Sequence, residues 1–79
     1  MKARVTVMLK AGVLDVQGEA VRHVLGTLGF GGVNGVRQGK LIELDLAETD
    51  REAAELAVKG MCDKLLANAV IESYRVEIA

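Results

Sequence analysis

LKAGVLDVQG, Leu9 to Gly18, carries a strand exit, a turn and a helix start within ten residues, and its reading decides the fold. Upstream, RVTVMLK from Arg4 to Lys10 alternates. Val5, Val7 and Leu9 fall on one face and Arg4, Thr6, Met8 and Lys10 on the other, the period-two pattern of a half-buried strand. Downstream, Asp15 stands where a helix N-cap belongs, its carboxylate able to accept from the free N–H groups of the first turn. Val21, Val24, Leu25 and Leu28 recur at helical spacing, and Gly29 with the Gly31-Gly32 pair ends this first helix.

Beyond it, VNGVRQGKLIELDLA (Val33 to Ala47) reads as extended chain. Asn34-Gly35 and Gln38-Gly39 are two points where a positive φ costs little, so either is a candidate hairpin turn or bulge. Ile42, Leu44 and Leu46 alternate with Glu43 and Asp45, which makes the second half of the stretch a strand. Thr49 to Glu52 has the T-x-x-E spacing of a capping box, with Asp50 as a competing cap. Ala54, Val58, Met61, Cys62 and Leu65 then form the inward stripe of a second helix. That helix ends near Asn68, and Tyr74, Val76 and Ile78 alternate with Ser73, Arg75 and Glu77 in a final strand.

The order β, α, β (one strand or two), α, β runs over residues 1–79 without a linker or low-complexity segment, so a single domain is expected. It predicts an α+β fold, an antiparallel sheet with two helices on one face, with a ferredoxin-like sandwich as the default. Such a sheet has two open edges. A chain of 79 residues buries only about two-thirds of its unfolded surface, so the core is thin and association would add to it. The hydrophobic fraction is 51%, yet Phe30 and Tyr74 are the only aromatic residues, so the core must be aliphatic.

Ten Lys and Arg nearly balance eleven Asp and Glu, and the basic residues form no stripe, which disfavours nucleic-acid binding. Cys62 is alone, so there is no internal disulfide and no Cys-rich metal site. Thr6 and Lys10 interrupt the N-terminal apolar run, and no 18-residue apolar span follows. The expectation is a soluble, cytoplasmic protein with no membrane role.

Each candidate for chemistry has a simpler structural reading. Cys62 lies in the inward stripe as a buried thiol, His23 lies toward the edge of the first helix with no partner, and Glu43, Asp45 and Glu48 read as a solvated strand face. RQGK (Arg37 to Lys40) lacks P-loop spacing and opens onto no helix, which leaves a basic turn that docks to a partner or an anion. The outward helix faces are more telling. The second helix carries Ala53, Leu56, Gly60 and Ala67 where a solvated helix shows Lys and Glu, and a two-sided apolar helix on so small a body calls for a partner. On the first helix Gly18, Gly26 and Gly29 surround Arg22, either as weak helix formers on a wet face or as a surface that another backbone can approach closely.

LKAGVLDVQG, VRQGK (Val36 to Lys40) and MCDKLLANAVIESY (Met61 to Tyr74) closely resemble the PurS family, the small subunit of bacterial and archaeal phosphoribosylformylglycinamidine (FGAM) synthase, over nearly the whole chain. The family pattern LKxGVLDPQG is matched by Leu9, Lys10, Gly12, Val13, Leu14, Asp15, Gln17 and Gly18. The pattern MCxKLLANPVIExY is matched by Met61, Cys62, Lys64 to Asn68, Val70, Ile71, Glu72 and Tyr74. Two departures both remove proline: Val16 follows Asp15, and Ala69 follows Asn68, where the family has Pro. Their loss softens each helix boundary by about 0.5–1 kcal/mol.

The resemblance implies a PurS-like sandwich and an accessory, non-catalytic role in de novo purine biosynthesis. On that reading the chain bridges a PurL-type synthetase subunit and a PurQ-type glutaminase subunit, assists ammonia transfer, and self-associates as a homodimer or tetramer. The complex uses ATP, Mg and glutamine, none of them bound by this chain, which has no catalytic or metal-binding residue of its own. Lys10, Gln17, Arg22, Arg37, Lys40 and Asn68 are the candidate partner-facing polar groups, with Leu56 and Gly60 in an apolar contact. The competing reading is an ACT-type regulatory domain with Gly29 to Gly35 as a ligand loop. An RNA-binding domain of similar topology lacks the sheet aromatics that stack bases.

Overall fold

A computed structural model describes all 79 residues. Strand β1 (Lys2–Leu9) is central and pairs antiparallel with β2 (Gly39–Asp45) on one side and β3 (Glu72–Ile78) on the other. Val5 stands opposite Ile42 and Val76, and Ala3 opposite Leu44 and Ile78, so the apolar positions of all three strands share one face. That is the face the alternation in each segment demands. Helix α2 (Arg51–Met61) lies across it, and Ala3, Val5, Val7, Ala54, Val58, Cys62 and Ile78 close the core. Asp50, rather than Thr49, caps α2 by accepting from Ala53 N–H at 3.2 Å. Glu48 Oε1 takes the Thr49 and Asp50 N–H groups instead.

The end of α2 differs from the expected stripe. Cys62–Leu66 form a π turn, closed by Ala67 N–H donating to Cys62 O. A π turn inserts one residue and sets every following side chain back by about 100° around the axis. Leu65, expected inward, is therefore 83% exposed, and Leu66 takes its place against the core. Met61 sits at the margin, exposed rather than buried.

Helix α1 (Val16–Thr27) begins as expected, with Asp15 Oδ1 accepting from Gly18 N–H at 2.8 Å, and Gly29 adopts φ +99 just past its end. Its position departs from a two-helix layer within one chain. No α1 residue belongs to the core, and Val21, Val24 and Leu28 are exposed. The helix projects as an arm: the molecule extends 48 × 24 × 14 Å with a radius of gyration of 16.0 Å. A compact chain of this length has about 12 Å. From Val33 to Gln38 the chain returns without turn or bend, so neither Asn34-Gly35 nor Gln38-Gly39 forms the hairpin or bulge considered above, and neither glycine has positive φ.

Val16 occupies the first helical position, where its N–H makes no hydrogen bond, and Asp15 before it is extended at φ −95, ψ 92. Both conditions suit proline. Val16→Pro is therefore expected to stabilise the chain by about 0.4–1 kcal/mol, read as a rise in the urea midpoint with unchanged slope.

Candidate functional site

The three motifs converge at one end of the sheet. Lys10 N–H donates to Ile71 O at 2.8 Å and Lys10 Nζ to Ala69 O at 2.7 Å, tying the exit of β1 to the turn before β3. Within that turn Asn68 Oδ1 accepts from Val70 N–H at 3.0 Å, and Glu72 Oε1 accepts from Asn68 N–H at 2.7 Å. From the other side, Arg37 donates to Leu9 O at 2.6 Å. Asp15 is the pivot: one carboxylate oxygen caps α1 and the other accepts from Gln38 N–H at 2.7 Å. Gly18 makes this closure possible, because a Cβ there would lie 2.6 Å from Val36 O.

The two N–H donors, Gln38 first and Gly18 second, hold the Asp15 carboxyl below the usual range, with Arg37 adding in the same direction. A lowered native pKa means that the charged carboxylate supports the fold above the ordinary carboxylate range. That support is lost as the pH falls through the lowered native value. Asp15→Ala is expected to lower the melting midpoint at neutral pH and to flatten the acid limb of its pH dependence, measured by thermal melts from neutral pH into acid. Only Glu19, against Arg22, and Glu48, against its two backbone donors, share the direction and keep part of that limb.

Five of the eight candidate residues thus cluster at this junction. Lys10, Arg37 and Asn68 spend polar atoms on internal ties, whereas Gln17 and Lys40 make no side-chain hydrogen bond and line a shallow hollow of about 280 Å³ with Asp15, Gln38 and Glu72. Arg22 stands apart on α1 in a two-pronged pair with Glu19 at 2.8 Å. Leu56 and Gly60 lie on the back of α2, Leu56 73% exposed and Gly60 half-buried.

The larger feature is the arm. Ala20, Val21, Val24 and Leu25 line one wholly apolar hollow on α1, and Leu28 continues the stripe at 66% exposure. Leu14 and Val16 at the root and Phe30 at the tip are also exposed. Helix spacing signals the stripe, but nothing in the sequence says that this chain leaves it bare. On the sheet, α2 lies toward β3, where Tyr74 Oη donates to Asp63 and Arg51 to Ile78 O, so Ile42 and Leu44 on β2 are only half covered. Burial and the nearby Asp63 carboxylate push the Cys62 thiol up, so it stays protonated inside the core, and His23 is exposed on α1. No helix is long and apolar enough to cross a membrane.

A family model described as phosphoribosylformylglycinamidine (FGAM) synthase, PurS, matches residues 2–79. The chain belongs to the PurS family. It is 49% identical over 77 residues to the phosphoribosylformylglycinamidine synthase subunit PurS of Bacillus subtilis, covering 98% of this chain and 90% of that one. The crystal structure of B. subtilis PurS superposes with TM-score 0.87 at 50% identity, over 96% of this chain and 94% of that one. PurS of Methanocaldococcus jannaschii gives TM-score 0.88 at 39% identity, over 96% and 92%. A chain in the structure of PurLQS from Thermotoga maritima gives 0.87 at 34%, over 96% and 93%. Coverage of 96% means that these alignments include residues of α1. These matches set aside the ACT-type reading.

Proposed function

We propose that this chain is the accessory subunit of an FGAM synthase in de novo purine biosynthesis, without catalytic groups of its own, holding a PurL-type synthetase and a PurQ-type glutaminase together and assisting the passage of ammonia between them. ATP, Mg and glutamine are handled by those subunits. The observation that carries this reading is the full-length PurS match, joined in this chain to an arm with an uncovered apolar face. A subunit that works by adhesion needs such surfaces more than it needs a cleft.

Self-association belongs to the same reading. The accessible surface is 5734 Å², whereas a compact monomer of 8.4 kDa exposes about 4,600 Å². The excess, about 1,100 Å², exceeds the roughly 800 Å² that each partner buries in a standard interface. A second copy covering the α1 stripe removes it, and the remaining face, with Leu56, Gly60, Gln17 and Lys40, serves the synthetase and glutaminase. The decisive experiment is reconstitution: glutamine-dependent, ATP-consuming formation of the amidine should require all three components, and this chain alone should hydrolyse neither glutamine nor ATP. Full turnover by the two larger subunits without it, or turnover by this chain unaided, contradicts the proposal.

A further inference from the structure

Helix α1 is held to the sheet at its first turn. Gly18 is the one buried residue of the helix, packed so near the returning chain that a Cβ would come within 2.6 Å of Val36 O. Asp15 accepts from Gly18 N–H at 2.8 Å on one carboxylate oxygen and from Gln38 N–H at 2.7 Å on the other. The same side chain therefore starts the helix and fastens that start to the entry of β2. Two further side chains are brought together by this tie. Gln17 lies in the first turn, just past Asp15, and Lys40 lies on β2, just past Gln38; both line the hollow of about 280 Å³ that Asp15, Gln38 and Glu72 complete.

The polar atoms of that hollow are unequally committed. Both Asp15 oxygens and Glu72 Oε1 already accept backbone N–H groups. Lys40 forms no ion pair, and neither its ammonium nor the Gln17 amide bonds to any group of the chain. What the hollow offers is chiefly free donors, which fit a group rich in acceptors. Lys10, Arg37 and Lys40 nearly offset Asp15 and Glu72 at this junction, so a neutral acceptor suits it better than a carboxylate or a phosphate.

We infer that Asp15 is a positioning residue for this hollow: by holding the root of α1 against Gln38 it sets Gln17 beside Lys40, and that pair receives the backbone carbonyls of a loop on the synthetase–glutaminase pair. This rests on the accessory role proposed above. A larger subunit is favoured over a second copy because the hollow is polar and hydrogen-bonding, the character of an interface between separately folded partners, whereas the α1 stripe assigned to self-association is wholly apolar.

The test is a mutant cycle in the reconstituted complex, reading the half-saturating concentration of this chain from glutamine-dependent ATP turnover below the melting midpoint of every variant. Gln17→Ala with Lys40→Ala should raise that concentration about tenfold or more, with circular dichroism unchanged. Asp15→Ala should raise it comparably, and the triple variant no further than the Gln17, Lys40 double variant, because a positioning residue has nothing left to position. Asp15→Asn keeps one accepting oxygen and takes the place of Asp15→Ala in the cycle should the latter not fold. Effects that multiply in the triple variant overturn the positioning role. Wild-type affinity for the Gln17, Lys40 double variant overturns the hollow as a docking site while the accessory role stands. Turnover that is indifferent to the wild-type chain overturns the reading beneath both.

Discussion

Val24→Asp is expected to separate the assembled protein into folded protomers. Val24 is at the centre of the α1 stripe and 52% exposed, and α1 contributes nothing to the core, so the protomer loses little. In the proposed self-association the same position would be covered by apolar side chains, and an unpaired carboxylate placed there would have to be desolvated. That costs about 3 kcal/mol or more, which raises the dissociation constant more than about a hundredfold. Sedimentation velocity should show the shift at concentrations where wild type is assembled, with far-ultraviolet circular dichroism unchanged. Wild-type mass for the variant would return the stripe to solvent.

Gly39→Ala carries the largest expected cost to folding. Gly39 is where β2 meets Met8, and a Cβ there would collide with the Val7 carbonyl oxygen and the Met8 sulfur. The sulfur is the end of a flexible side chain and can move. The carbonyl is backbone, and relieving that contact means parting β1 from β2 at the end where Arg37 and Asp15 also anchor. A loss of about 2–4 kcal/mol follows, read from urea unfolding. Gly35→Ala, four residues earlier with no neighbour in reach, should change protomer stability by less than about 0.5 kcal/mol. Equal effects at the two glycines would refute the steric account.

Much of this fold is legible in the sequence because the signals are local. The alternation at Val5, Val7, Ile42, Leu44, Val76 and Ile78 defines three strands with one apolar face, and Asp15 and Asp50 mark the two helix starts. The antiparallel α+β class follows from that order. The seat of α1 does not follow. Helical spacing at Val21, Val24, Leu25 and Leu28 says which face seeks burial and is silent on which molecule buries it. Leu65 illustrates a second limit. Its spacing from Val58 and Met61 is correct for an α-helix, and only the π turn at Cys62–Leu66 turns it outward.

The candidate site shows the same division. The polar residues singled out by motif do meet, five of them at the junction of Leu9–Gly18, Val36–Lys40 and Asn68–Glu72. What residue type alone could not reveal is how their atoms are spent. Lys10 and Arg37 hold backbone carbonyls of their own chain, so the cluster first fixes the arm and only then offers Gln17 and Lys40 outward. Asp15, read as a cap, also binds Gln38, a second duty that depends on a contact 23 positions along the chain.

On the proposed function this chain is incomplete alone and works by adhesion. Light scattering on the purified wild-type chain at micromolar concentration tests it most directly. A mass of at least twice 8.4 kDa is expected, falling toward a single chain on dilution. A persistent 8.4 kDa particle that keeps the 16.0 Å radius of gyration, with its α1 stripe in water, would contradict it.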